Sequence, residues 1–221
     1  MTNAIKIDVW SDIACPWCYI GKRNLEKGLA ETAADDDAPV VEVTFHSFEL
    51  SPDTPVDFEG DEIDFLAGHK GMPRERVQEM LGQVTDVAAK AGLGYRFDLL
   101  QHTNTVKAHE LLHHAKEQGM QDAMTERLMA AYFTEGRHVG RIDDLVDLAA
   151  EVGLDPGATR EALESERHLP AVRADQAQAQ AYGIQGVPFF VIDGTYGVSG
   201  AQPPEAFAQI ARQVWSERSG S

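Results

Sequence analysis

Cys15 and Cys18 are the only cysteines in a chain of 221 residues, and they share one tetrapeptide, Cys15-Pro16-Trp17-Cys18. A secreted disulfide framework spreads its cysteines along the chain, and a structural zinc site needs four ligands, usually with a second pair at similar spacing. The chain has neither, so the pair is a local dithiol. Residues 5–10, IKIDVW, alternate apolar and polar side chains rich in β-formers and predict a strand. Ser11-Asp12 opens a turn. Pro16 suits the first turn of a helix, where its missing N–H would be unpaired anyway, and Ile20, Leu25 and Leu29 supply apolar positions after it. The dithiol is therefore expected at a strand-to-helix junction. Unpaired N–H groups and the positive end of the helix dipole favour a thiolate there. Cysteines so placed titrate at about 3.5–7.5 rather than about 8.5. Cys15, at the helix entrance, is expected to be the exposed, activated sulfur. Cys18, one turn on, is expected to face inward within bonding reach of it. Trp17 between them offers an apolar platform for a partner. The thiolate is the nucleophile of disulfide exchange, so the pattern points to redox chemistry.

The rest of the chain frames this junction. A polar break at 33–39 precedes a second strand, VVEVTF at 40–45, which completes a βαβ unit. From Ser51 to about Tyr182 no strand is convincing. Pro73 starts a helix that runs to about Ala91 and ends at Gly92. Thr103 or Asn104 can cap a helix that Gly119 stops. Further helices are predicted over 121–135, 142–152, 157–165 and 170–182. Strand character returns at 187–192, Asp193-Gly194 is a hairpin turn signal, 195–198 is the returning strand, and a last helix spans 204–218. The expected fold is α/β, a βαβ…ββα core formed by 1–55 with 183–221, interrupted by an all-helical insertion over 56–182.

With these elements in place, the sequence resembles the thioredoxin-fold superfamily, and within it the DsbA-like family and its FrnE-type, or polyketide-biosynthesis-type, dithiol-disulfide isomerases. The residues that carry the likeness are Asp8, Ser11-Asp12, Cys15 to Cys18, Phe48-Glu49-Leu50, Asn104-Thr105 with Ala108-His109, and Ala131-Tyr132-Phe133 with Gly136. Gly183-Ile184, Gly186 to Phe190 and Gly200-Ala201-Gln202 complete it. Related kappa-class glutathione transferases and 2-hydroxychromene-2-carboxylate isomerases carry Ser at the first cysteine position, whereas both cysteines are present here. Some FrnE-type proteins have a second cysteine pair, which this chain lacks. The resemblance implies a thioredoxin-like core and a mixed-disulfide mechanism, with Cys15 attacking and Cys18 resolving. It implies that Pro188 is cis against the dithiol, leaving the Val187 backbone free to pair with an extended substrate. It also places Asn104 in the cleft between core and helical module, although a helix cap is the simpler role for that residue. Pro16, Trp17, Val187, Pro188 and Asn104 are thus the expected substrate-binding positions.

Other motifs compete. His109-Glu110-Leu111-Leu112-His113 matches the H-E-x-x-H of zinc proteases, with Glu126 or Glu135 as a conceivable third ligand. With 8 His and abundant Glu, a chance match is unsurprising, and His113 and His114 are expected on the helix surface. Asp8 is a possible buried carboxylate behind the dithiol, His46 a satisfied edge residue, Tyr132-Phe133 core, and Asp35-Asp36-Asp37 a solvated turn.

The expected activity is thiol–disulfide oxidoreduction or isomerisation. Glutathione-dependent isomerisation or transfer on a small molecule is one alternative, and a redox-switched chaperone or binding module is another. No metal, nucleotide or flavin is implied. Substrates would be thiol- or disulfide-containing proteins or small molecules, with glutathione or a thioredoxin-type protein as reductant. Asp and Glu total 36 against 19 Lys and Arg. A net charge of −17 argues against nucleic acid and anionic membrane as partners. No apolar run is long enough to span a bilayer and no secretory signal is evident, so the expected compartment is the cytoplasm.

Overall fold

The computed structural model describes residues 4–33 and 40–219. The polar break at 33–39, Asp35-Asp36-Asp37 included, falls almost wholly outside the described residues.

Strand β1 (Ile5–Ser11) runs into helix α1 (Pro16–Thr32) and then strand β2 (Val41–Ser47). Seven helices follow: α2 (Glu62–Lys70), α3 (Arg74–Ala91), α4 (Val106–Glu117), α5 (Gln121–Ala130), α6 (Ile142–Glu151), α7 (Pro156–Glu164) and α8 (Leu169–Ala181). A π turn, Ala131–Glu135, closes α5. Strands β3 (Phe189–Ile192) and β4 (Tyr196–Ser199) and helix α9 (Pro204–Ser219) complete the chain. The helix at Glu62–Lys70 has no counterpart among the sequence expectations. It is held by a reciprocal capping box between Asp61 and Asp64. No described helix is long and apolar enough to cross a membrane.

The sheet order is β2-β1-β3-β4, with β1 parallel to β2 and antiparallel to β3. Strand alternation sends Ile5, Ile7 and Val9 to one face, where they pack with Phe45, Phe190, Leu25 of α1 and Phe207 and Val214 of α9. Trp10 points to the other face, against Ala179 of α8 and Ile184. The sheet is thus covered on both sides. At the β3–β4 turn Asp193 and Gly194 take φ of 55° and 67°. They form a turn closed by the Thr195 amide donating to the Ile192 carbonyl at 3.1 Å, and with Ile192 paired to Tyr196 the loop holds three residues, one more than the two-residue hairpin expected.

Close approach explains two glycines of α1. A Cβ at Gly28 would lie 2.4 Å from the Pro204 carbonyl oxygen, and one at Gly21 would lie 3.0 Å from Pro188 Cγ. Side chains there would push α1 away from α9 and from the start of β3.

The helical layer has its own apolar cluster, built from α3 to α7, and that cluster takes in Ile13, Cys15, Cys18, Tyr19 and Ile20. The first turn of α1 therefore belongs to the core of the helical layer, while its later residues belong to the sheet. Beside this seam Lys22, buried to 3% exposure, bonds Glu26 and lies 3.1 Å from Asp122, and Tyr19 donates to Glu126 at 2.6 Å, tying α1 to α5. The thioredoxin-like core with a helical insertion is as expected from sequence.

Candidate active site

Cys15 is the N-cap of α1, in extended conformation, with Pro16 in the first turn and no acidic residue there. Within that first turn no side-chain carboxylate competes for the positive end of the helix. The Cys18 amide donates to the Cys15 carbonyl at 3.0 Å, which folds the tetrapeptide into one turn and brings the second sulfur under the first. Tyr95 clamps the turn from the helical layer, its hydroxyl donating to the Pro16 carbonyl at 2.6 Å while its ring stacks on Phe133.

Both thiols are free, and both are buried, at 3% and 2% exposure for Cys15 and Cys18. The expectation that Cys15 would be exposed is corrected here. Its sulfur lies against Val187, whose carbonyl accepts from Cys15 Sγ at 3.5 Å, while Trp17, two residues on, is 41% exposed and lines the same cavity. The two cysteines still differ. Cys15 lines a cavity and Cys18 does not. Burial, and then the neighbouring Cys15, push the Cys18 thiol well above its ordinary range.

The cavity, about 610 Å³, lies between α1 and the helical layer. Cys15, Pro16, Trp17 and Val187 form one wall. Phe65 and Leu66 of α2, Leu81, Val84 and Val87 of α3, and Phe97 form the others, so it is mainly apolar. Polar groups interrupt this lining at Ser51, His69, Lys70 and Gln83 and at several buried points. One is the buried pair of Glu62 and His102, in contact at 2.8 Å. Another is Asp12.

Asp12 is the main site residue that sequence reasoning misses. The sequence shows it as part of a turn and of the family likeness, with no role given to it, but its carboxylate is buried beside the dithiol. It accepts from the amides of Ala14 at 3.2 Å and Leu50 at 2.8 Å, and meets His109 Nε2 at 3.3 Å. Burial works to raise its pKa. His109, the Leu50 amide and Thr105 outweigh that and hold it below the ordinary carboxylate range. An ionised carboxylate thus stands in the wall that holds Cys15. Residues 8–14 alone do not announce this, because beyond the Ala14 amide the carboxylate's partners are 38 and 97 residues away.

Asp8, by contrast, is half-buried and bonded to His46 at 2.8 Å. His46 is the satisfied edge residue expected, its second nitrogen meeting Asp175 at 2.8 Å and its ring stacked on Trp10. Tyr132 and Phe133 are core. Val187-Pro188 is a cis peptide, and neither strand ladder includes Val187. Asn104 does not line the cavity, although its neighbours Thr103 and Thr105 do. Its side chain accepts from the Val106 amide at 2.9 Å and donates to the Pro52 carbonyl at 2.9 Å, so it makes a local turn just ahead of α4, whose N-cap is Thr105, and ties that turn to the segment after β2. The H-E-x-x-H histidines do not converge: His109 faces Asp12, and His113 faces Asp175 at 3.1 Å. His113 and His114 are not surface residues, because α4 is enclosed by neighbouring elements on most sides.

The family pattern for a DSBA-like thioredoxin domain matches residues 6–211. The uncharacterized protein YwbO of Bacillus subtilis (strain 168) is 32% identical over 209 residues, covering 92% of this chain and 94% of that one. The crystal structure of a probable DsbA oxidoreductase, SCO1869 from Streptomyces coelicolor, superposes with a TM-score of 0.88 at 40% identity, covering 96% of this chain and 91% of that one. The cytosolic disulfide reductase DsbM from Pseudomonas aeruginosa, solved with GSH, shares the fold at 20% identity and a TM-score of 0.66, covering 95% of this chain and 98% of that one.

Proposed function

The chain belongs to the DsbA-like thioredoxin domain family and is a thiol–disulfide oxidoreductase, and from that premise we propose that Cys15 is its nucleophile and Cys18 its resolving thiol. The observation that carries this is the asymmetry of the pair: Cys15 at the helix entrance on the cavity wall, Cys18 behind it with its thiol pushed up by burial. In the reducing direction the Cys15 thiolate attacks one sulfur of a substrate disulfide. An S–S bond forms between Cys15 and that sulfur, and the other leaves as a thiolate. Cys18 loses its proton and attacks Cys15 Sγ, which expels the second substrate thiolate and leaves a Cys15–Cys18 disulfide. Two electrons pass from the dithiol to the substrate. Oxidation of a substrate dithiol is the reverse.

Trp17 and Val187 share the cavity wall with the sulfur that reacts, and Pro16 shapes the turn that presents it. The Val187 backbone, outside the ladders, is placed to pair with an extended segment of a substrate. Pro188 holds this strand entry against α1 at Gly21. Glutathione is the thiol we favour as recycling partner, with a thioredoxin-type protein as the other candidate, in a reducing compartment such as the cytoplasm. The narrower FrnE-type assignment rests on the sequence pattern and is part of the same proposal.

The apolar cavity favours a second reading of substrate. Its volume suits a compact apolar molecule carrying a thiol or a mixed disulfide with glutathione. Turnover of insulin and of a small aromatic glutathione mixed disulfide, measured side by side, separates the readings. Activity on neither, with a dithiol shown to be reduced, would remove the proposed mechanism.

A further inference from the structure

His114 and Glu117 stand three residues apart on α4, and His168 sits at the N-cap of α8 beside them. One ligating atom of each lies within 4.8 Å of one from each of the others. His114 and His168 are 4% and 5% exposed. His114 Nδ1 and His168 Nε2 are buried without a hydrogen-bond partner. His168 Nε2 stands 3.7 Å from Glu117 Oε2, and the two rings are tilted at 5.7 Å between centroids, so they do not stack. A buried polar atom left without a partner destabilises the fold. His102 and His109 also carry an orphaned nitrogen, but each has a carboxylate on its other one; at His114 and His168 two orphaned nitrogens share one carboxylate, an arrangement suited to a ligand.

We propose that His114, Glu117 and His168 form a binding site for a divalent transition-metal ion of the zinc type, independent of the dithiol. Two imidazoles and a carboxylate are a donor set that zinc accepts, with a fourth position left for water. Donors around one ion at about 2.0–2.1 Å sit about 3.4 Å apart, so the side chains draw in by about 1.4 Å at most. Glu117 is largely exposed and free to swing. Burial lowers the pKa of both histidines. Neutral rings with free lone pairs are what a metal needs. The cation that faces the site, Arg167, is paired with Glu161 at 2.8 Å, which offsets its charge. A bound ion would staple the end of α4 to the start of α8. None of the three residues lines the cavity at Cys15.

A dithiol also binds zinc, so the test uses the full chain with Cys15 and Cys18 oxidised to a disulfide. Zinc titration followed by calorimetry is expected to show one equivalent bound per chain, with a melting temperature that rises with free zinc. Cobalt in place of zinc should give visible d–d absorption without a sulfur charge-transfer band. His168→Gln and Glu117→Ala should each weaken binding about tenfold or more, while disulfide exchange stays at the wild-type rate. Glu117 is exposed, so its variant keeps the fold even where the histidine variant does not. No zinc taken up by the oxidised protein, or uptake that Glu117→Ala leaves unchanged, would overturn the site.

Discussion

The Cys15 thiol donates to the Val187 carbonyl at 3.5 Å, and in doing so joins two segments 172 residues apart. That contact puts the reacting sulfur beside a part of the β3 approach that lies outside the ladders. The sulfur and the docking backbone are thus one surface. Cys15→Ser should reduce disulfide exchange to the uncatalysed level, because a serine hydroxyl is not ionised near neutral pH. Cys18→Ser should still attack but fail to resolve, accumulating mixed disulfides that mass spectrometry can identify. Full exchange in Cys15→Ser, or adducts trapped on Cys18 instead, would reverse the assigned roles.

Asp12 is a charge buried under the same wall, balanced by His109 and two amides. Removing one partner of such an arrangement leaves the others uncompensated. Asp12→Ala should therefore destabilise the fold by about 3–5 kcal/mol in urea unfolding. Asp12→Asn, which keeps an acceptor for the Leu50 amide, should cost less. A loss below about 1 kcal/mol for the alanine variant would show that the carboxylate is not held as described.

The glycines of the helices should separate by what surrounds them. Gly28→Ala drives a Cβ to 2.4 Å from the Pro204 oxygen, and the obstacle is backbone, so it should cost about 1–3 kcal/mol. Gly82 lies in α3, and a Cβ added there would meet nothing within 4 Å. Gly82→Ala should stabilise by up to about 1 kcal/mol through helix propensity. Thermal melts of both variants decide, and equal effects would contradict the close packing of α1 on α9.

The His46 pair gives a signed pH dependence. Burial acts to lower its pKa, but Asp175 and Asp8 outweigh it, and the net shift is upward. A histidine raised in this way stabilises the fold fully below its unfolded value of about 6.5, and the contribution fades as pH rises through the folded value. The stability gap between wild type and His46→Gln should thus be widest near pH 5–6 and narrow above neutrality. A gap that widens with rising pH would mean that His46 is neutral in the folded protein.

Much of the frame is legible in the sequence because it is local. Strand alternation over 5–10, Pro16, the Gly92 stop and the Asp193-Gly194 turn each act within a few residues, and the elements they predict appear at Ile5–Ser11, Pro16–Thr32, Arg74–Ala91 and the β3–β4 hairpin. What escapes a sequence reading depends on distant partners. The helix at Glu62–Lys70 lacks an apolar stripe, and it is fixed by Glu62 on His102 and by Phe65 and Leu66 on the cavity. His113 and His114 look like an outer face from their spacing, but α4 has little outer face, since α5, α6, α7 and α8 pack around it. The burial of Cys15 follows from Val187 and the helical layer packing against it, which position along α1 alone does not reveal.

The span between Cys15 and Val187 also sets a timetable for biosynthesis. The carbonyl that meets the first sulfur is translated 172 residues after it. At about 5–20 residues per second the dithiol spends about 10–30 s on the ribosome before its native neighbour exists. For the part of that interval after the dithiol has left the ribosome, the nascent chain presents both thiols without the wall that later selects what may reach them, so its earliest redox encounters are governed by the surrounding thiol pool and not by its own site.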